Sequence, residues 1–268
     1  MDYQGQGFSL TLRQLYYQFV SRALIENTER SYKNLGNVIS DGRLAGLIDW
    51  SAIEDRTRNL QERSHWDSPA SIVAACVSSY YEDHWANQEH RIEVWVEKEA
   101  LSGIADAACR PLDVPYFCCK GYTSQSEMYV AAKRIAGYAD EGKEVVIIHL
   151  GDHDPSGIDM SRDVVDRLDL LSGQTPIDFT RIALNINQVE KYSPPPNPAK
   201  VTDPRAKSYV KKFGYESWEL DALEPKVLMT LIQKKILSYR DDDKWDDTEA
   251  SQAKGRKTLD RMSKKLES

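Results

Sequence analysis

A chain of 268 residues with 41% apolar and 29% charged side chains is long enough to bury a real core, in about two domains. Its net charge of −7 argues against a protein that coats nucleic acid through bulk charge. No run approaches the roughly 20 apolar residues of a membrane span and no charged-then-apolar leader is visible, so the expectation is a cytoplasmic protein with no membrane partner. Cys76, Cys109, Cys118 and Cys119 lack Cys-x-x-Cys spacing, which points to free thiols in a reducing compartment and away from zinc.

In chain order, residues 11–24 carry Leu12, Leu15, Tyr16, Phe19 and Val20 at helical spacing, and Glu26-Asn27-Thr28 breaks the pattern. A second amphipathic run, 28–47, carries Tyr32, Leu35, Val38, Ile39, Leu44 and Leu47, so residues 1–63 read as a helix-turn-helix module. Its outer face offers Arg30, Lys33 and Arg43, which suit phosphate contacts from a recognition helix; the plainer reading is a solvated face. Within 64–89, residues 68–85 read as a connecting helix with Ile72, Cys76 and Tyr80 on one face.

Residues 90–239 alternate strand and helix patterns. Strands are expected at 92–96, 114–119, 145–150 and 179–184, and helices at 124–139, from 155 to about 171, and through Val227, Leu231 and Leu237. Ser124 and Glu127 form a capping-box pattern. Such alternation implies crossovers and a parallel sheet, an α/β fold. A Pro-rich turn at 193–198 leads into Lys200, Arg205, Lys207, Lys211 and Lys212, which suit a DNA channel, or else an exposed loop with no partner. Residues 240–268 are an acidic block followed by lysines and arginines, expected to be disordered or a solvated helix, with a mobile DNA-contacting arm as the sharper alternative.

The chemistry concentrates where two strand patterns end. Asp152 and Asp154 follow the run 145–150, lie two residues apart and project to one side of an extended segment, where both reach one hard cation such as Mg²⁺. Asp154-Pro155 is equally a good helix start, with Asp as the cap. Glu97 ends the earlier strand, and in a parallel sheet it shares the carboxyl edge with the Asp pair. Three acids at one edge repel unless a cation neutralises them, which favours a metal site. His149 and His153 flank the acids as conceivable bases, although His149 belongs to the strand and reads as buried.

Glu at the end of one strand and Asp-x-Asp at the end of a later one resembles the Toprim domain. Val96-Glu97-Lys98-Glu99-Ala100, Lys120-Gly121-Tyr122-Thr123 and Asp152-x-Asp154-Pro155-x-Gly157 resemble the topoisomerase VI A subunit and its relative, the meiotic double-strand-break transesterase. Leu12-Arg13-Gln14-Leu15-Tyr16-Tyr17 resembles the Arg-x-x-Tyr-Tyr signature of that family's winged-helix domain, and Ser217–Leu223 resembles a stretch in its compact members. The likeness runs from about residue 10 to 237.

The resemblance implies a winged-helix module followed by a Toprim-like α/β domain. It makes Tyr17 the nucleophile with Arg13 beside it, and Glu97, Asp152 and Asp154 the ligands of Mg²⁺, for which Mn²⁺ can substitute. It implies a nucleoid-associated homodimer acting on double-stranded DNA, each tyrosine reaching the metal of the opposite subunit to leave 5′-phosphotyrosyl breaks. An ATPase would be a separate partner subunit. On the residues alone Tyr17 is the edge of an apolar helix stripe, and Glu219 and Asp221 read as structural. Two other readings stand beside this one: a hydrolytic Toprim nuclease, like the nuclease subunit of the Wadjet plasmid-defence system, and a non-catalytic DNA-binding subunit.

Overall fold

The structure, a computed structural model, describes residues 10–53 and 63–267. Helix α1 (Leu12–Ser21) begins with a reciprocal cap: the Thr11 hydroxyl accepts from the Gln14 N–H, and the Gln14 side chain accepts from the Thr11 N–H at 2.8 Å. Helix α2 (Glu29–Leu44) starts at the cap Thr28. Tyr16, Tyr17, Val20 and Leu35 bury one another between the two helices, and Ala222 closes the cluster from a distant part of the chain. The expected helix pair is present, but the apolar stripe of α2 is only half used. Val38, Leu44 and Leu47 are exposed, because the ten-residue α1 is too short to cover the sixteen-residue α2. Among the described residues the one strand-like pairing in this module is an isolated bridge, Leu10 to Ile53. The rest of the expected 1–63 module, residues 1–9 and 54–62, lies outside the described residues.

Helix α3 (Pro69–Ser79), capped by Ser68, ends six residues before the expected 85. The sheet follows: β1 (His90–Val96), β2 (Tyr116–Cys118), β3 (Glu144–Leu150) and β4 (Ile177–Ala183), in the order β2-β1-β3-β4 and parallel throughout. The crossovers are α4 (Ser102–Cys109), α5 (Gln125–Asp140) and α6 (Pro155–Leu171). Alternation along the strands divides the core in two. Val94, Val96, Val146 and Ile148 face α4, whereas Trp95, Val145 and Ile147 face α5 and α6. The register aligns Val96 with Leu150, and the Glu97 N–H donates to the Leu150 carbonyl at 2.9 Å. The residues after both central strands therefore emerge side by side.

After α7 (Ile186–Tyr192), the short β5 (Asn197–Pro198) and β6 (Glu216–Ser217) pair antiparallel around α8 (Ala206–Phe213). A 3₁₀ turn at Leu220–Ala222 leads to α9 (Pro225–Leu237), which joins α4 on its face of the sheet. The charged end of the chain is a helix, as one of the expectations had it, but neither disordered nor solvated all round. It is α10 (Asp242–Glu267), docked along α3 with Trp245, Thr248, Gln252 and Ser263 buried. Gly255 lets it approach Tyr80, whose ring stands where a Cβ would lie. That docking also turns α3: Ala70 is buried and Val73 and Val77 half-buried, while the expected inner residues Ile72 and Cys76 are exposed. Among the described residues no helix is long and apolar enough to cross a membrane.

Candidate metal centre

Glu97, Asp152 and Asp154 all stand at the carboxyl edge of the sheet, each held by one of its two oxygens. Glu97 Oε2 accepts the Asp152 N–H at 2.8 Å. Asp152 Oδ1 accepts the Leu220 N–H at 2.7 Å and pairs with Lys98 Nζ at 2.9 Å. Asp154 Oδ1 accepts the Gly157 N–H at 2.6 Å and the Ser156 hydroxyl at 2.9 Å, so Asp154 is also the cap of α6. Of the two readings of Asp154-Pro155, the helix cap is the one seen in the structure. The second oxygen of each acid makes no hydrogen bond within the described residues.

Among the described residues, the carboxylates that converge closely enough to hold one ion are a different set. Asp152, Glu219 and Asp221 bring oxygens within 4.8 Å of one another, an all-oxygen donor set of the kind hard cations take. Asp152 is common to both groups; Glu97 and Asp154 do not join this one. Lys98 sits among the three, with Nζ 2.9 Å from Asp152 and 3.0 Å from Asp221 and in direct contact with Glu219. Arg13 reaches the same pair from α1, Nε to Asp221 and a terminal nitrogen to Glu219, both at 3.1 Å. The donors suit a divalent cation, but one entering here competes with the Lys98 ammonium.

Burial sets the electrostatics. It pushes the Asp152 carboxyl well above the usual range, against the pull of Lys98, and it raises Glu97 against the Asp152 N–H. Burial also works against the charge on Lys98, yet Asp221, Asp152 and Glu219 outweigh it and hold the ammonium protonated. Below the edge, Arg181 donates to the carbonyls of Gly151, Asp152 and Gly157 and to the Ser161 hydroxyl. Two glycines make room for this. A Cβ on Gly151 would lie 2.8 Å from Glu97 Oε2, and one on Gly157 would run into the Asp152 carbonyl.

The two histidines that flank the acids are both buried. Burial holds His149 down to about 3, with its Nδ1 against the Ser161 hydroxyl, and holds His153 down to about 4, with its Nδ1 against Tyr209. Groups so weakly basic take no proton near neutrality.

Tyr17 faces the same network from α1. The Arg13 guanidinium lies 5.8 Å from its ring centre, and burial, then Glu219 and Asp221, push its phenol up to about 12. Its hydroxyl has no hydrogen bond within the described residues. An open cleft of about 360 Å³ borders Tyr17, walled by Tyr16, Tyr32, Asn27 and Asn197.

The expected DNA contacts fare unequally. Arg30 is exposed, and Lys33 is exposed but paired with Glu29 at 2.8 Å. Arg43 turns back on its own loop, donating to the Trp50 and Ile53 carbonyls and lying 5.3 Å from the Trp50 ring centre. Lys207 and Lys211 are exposed on α8, whose inner residue Tyr209 hydrogen-bonds His153 beside the acids.

Sequence reasoning passed over Lys98 and Arg181 and gave Glu219 and Asp221 only a structural part. Arg181 did leave a signal, as a lone cation inside an apolar strand pattern. Lys98 left none beyond its position between two glutamates. Compared with family models, with curated proteins and with solved structures, the chain finds no match.

Proposed function

We propose that this chain cleaves DNA in the manner of a topoisomerase VI A subunit, with a winged-helix module carrying Tyr17 and a Toprim-like domain carrying the acids. One observation carries the reading: Arg13, one helical turn from Tyr17, is ion-paired to Asp221 and Glu219, which Lys98 joins to Asp152. Two motifs more than a hundred residues apart thus meet in one charge network.

Tyr17 Oη attacks a backbone phosphorus, the bond from phosphorus to O3′ breaks, and the leaving oxygen takes a proton to become a free 3′-hydroxyl. The phenol proton passes to water, since both histidines are too weakly basic to accept it. Arg13 and Lys98 bring positive charge toward the phenolate and offset the acids that raise it. Glu97, Asp152 and Asp154 would hold Mg²⁺, or Mn²⁺ in its place, through their unengaged oxygens. The ion, when bound, neutralises the phosphate and steadies the leaving oxygen. Mg²⁺ uses few protein ligands and completes its shell with water and phosphate, so the three acids need not converge as closely as the Asp152, Glu219 and Asp221 group does. Lys207 and Lys211 offer phosphate contacts on the side of α8 away from His153. Two copies acting on opposite strands of double-stranded DNA make a double-strand break.

One observation favours the hydrolytic alternative: a phenol raised to about 12 is a poor nucleophile. In that reading Tyr17 packs and water attacks. The test is supercoiled plasmid with Mg²⁺ or Mn²⁺, quenched with detergent and split with and without proteinase K. Linear DNA that stays protein-bound until proteolysis, and disappears in Tyr17→Phe, is the expected result. Free cut ends that survive Tyr17→Phe but not Glu97→Ala establish hydrolysis, and no cutting with either metal sinks both.

A further inference from the structure

The cleft beside Tyr17 has a composition that its neighbours do not explain. Tyr16, Tyr17 and Tyr32 line it, the first two almost wholly buried and Tyr32 half-buried, and the Asn27 and Asn197 side chains make its polar edge. The two buried tyrosines are fixed. The Tyr16 and Tyr17 rings meet edge to face at 5.2 Å, Tyr16 and Tyr32 at 5.3 Å, and the Tyr16 hydroxyl donates to the Asn27 Oδ1 and the Thr28 carbonyl. Asn27 Nδ2 in turn donates to Asn197 Oδ1. Asn27 is thereby oriented, with its Oδ1 and one of its two amide hydrogens engaged. Asn197 keeps its own Nδ2 without a partner within the described residues.

The lining excludes most occupants by charge. A metal ion finds one carboxylate, Glu29, which is exposed and already paired with Lys33. A free phosphate finds one cation, Arg13, whose guanidinium is taken by Asp221 and Glu219. An apolar chain would bury the Asn197 Nδ2 unpaired, at a cost of about 1–3 kcal/mol. What remains is a neutral, flat group with a polar edge. Aromatic faces that stack and side-chain amides that hydrogen-bond are the chemistry by which unpaired bases are held. About 360 Å³ is at the small end of the range for ligand pockets, the scale of a single nucleoside.

We infer that this cleft is a nucleobase subsite, which takes one unstacked base of the bound strand against the half-buried Tyr32 ring and pairs its edge with Asn197. The inference rests on the reading of the chain as a DNA-binding protein and adds to it a discrimination between bases. Because Tyr17 belongs to both the cleft and the acidic network, a base seated here ties the identity of one nucleotide to the phosphate presented to Tyr17.

The test is saturation-transfer NMR on the whole protein with each of the four deoxynucleosides at millimolar concentration, and with deoxyribose 5-phosphate as the comparison. The expected result is strong transfer to base protons, unequal among the four, with little to the sugar phosphate. Asn197→Trp fills the cleft and removes the transfer. Asn197→Leu keeps the branching and number of heavy atoms and loses the amide, weakening binding about tenfold and levelling the four nucleosides. Melting curves on the same samples report folding, and should Asn197→Trp not fold, Asn197→Leu decides. No transfer with the unaltered protein, equal transfer to the sugar phosphate, or transfer unchanged in Asn197→Leu overturns the inference. Plasmid cleavage is scored separately. Nucleoside binding without cleavage removes the cleavage reading alone, and cleavage without nucleoside binding removes the subsite alone.

Discussion

Lys98 and Arg181 bracket the acidic edge from its two sides, and each answers a different problem. Lys98 balances the three carboxylates of Asp152, Glu219 and Asp221, while Arg181 ties down the carbonyls of the turn that carries Asp152. Removing either leaves buried groups without their partner, which costs about 3–5 kcal/mol for a charge and 1–3 for each polar group. Arg181→Leu is therefore expected to lower stability by about 3–5 kcal/mol, measured as a shift in the urea midpoint. Lys98→Met is expected to be destabilised too, but selectively rescued. With the ammonium gone, millimolar Mn²⁺ should raise its melting temperature more than it raises that of the unaltered chain. Equal shifts in the two proteins would mean that Lys98 and the cation do not share a position.

His149 gives a pH dependence whose sign is fixed by burial. Its folded pKa of about 3 lies below the ordinary 6.5, so the stability it contributes is complete above 6.5 and is lost as pH falls toward 3. One unit is worth about 1.4 kcal/mol, so going from pH 7.5 to pH 5 costs about 2 kcal/mol through this residue. His149→Phe should remove that part of the slope when urea midpoints are compared at the two values.

At the scale of elements, α1 and α10 are both held by partners far along the chain. Helix α1 packs on the turn Leu220–Ala222 and is fastened there by Arg13, so the position of Tyr17 depends on a segment two hundred residues away. Arg13→Ala should lower stability modestly, by about 1–3 kcal/mol, because it removes one partner of the buried Asp221 and leaves Lys98 as the other. In the proposed mechanism it should also lower trapped cleavage complexes well beyond what reduced folding explains. Helix α10 is anchored by Trp245, packed against His84 and Trp85. Trp245→Ala should cost about 3–5 kcal/mol, read by thermal melting. A loss below 1 kcal/mol would mean that the helix is no more than a solvated appendage.

For the molecule as a whole, the parallel α/β domain was legible from the residues alone. Near-continuous apolar runs ended by Glu97 and by Gly151-Asp152 have one economical arrangement, strands buried on both faces with helical crossovers, and the carboxyl-edge location of the acids follows from it. The caps at Ser124 and Asp154 were legible for the same reason, since a cap is a local bond between a side chain and a backbone group three residues on. Only the tertiary structure decided which side chains meet. The gathering of Asp152, Glu219 and Asp221 around Lys98, the return of Arg43 to its own loop, and the docking of α10 on α3 join residues distant along the chain or placed by a particular turn. Periodicity reports which face of a helix is apolar, not what covers it. That is why Ile72 and Cys76 emerged exposed and a highly charged end still buried Trp245.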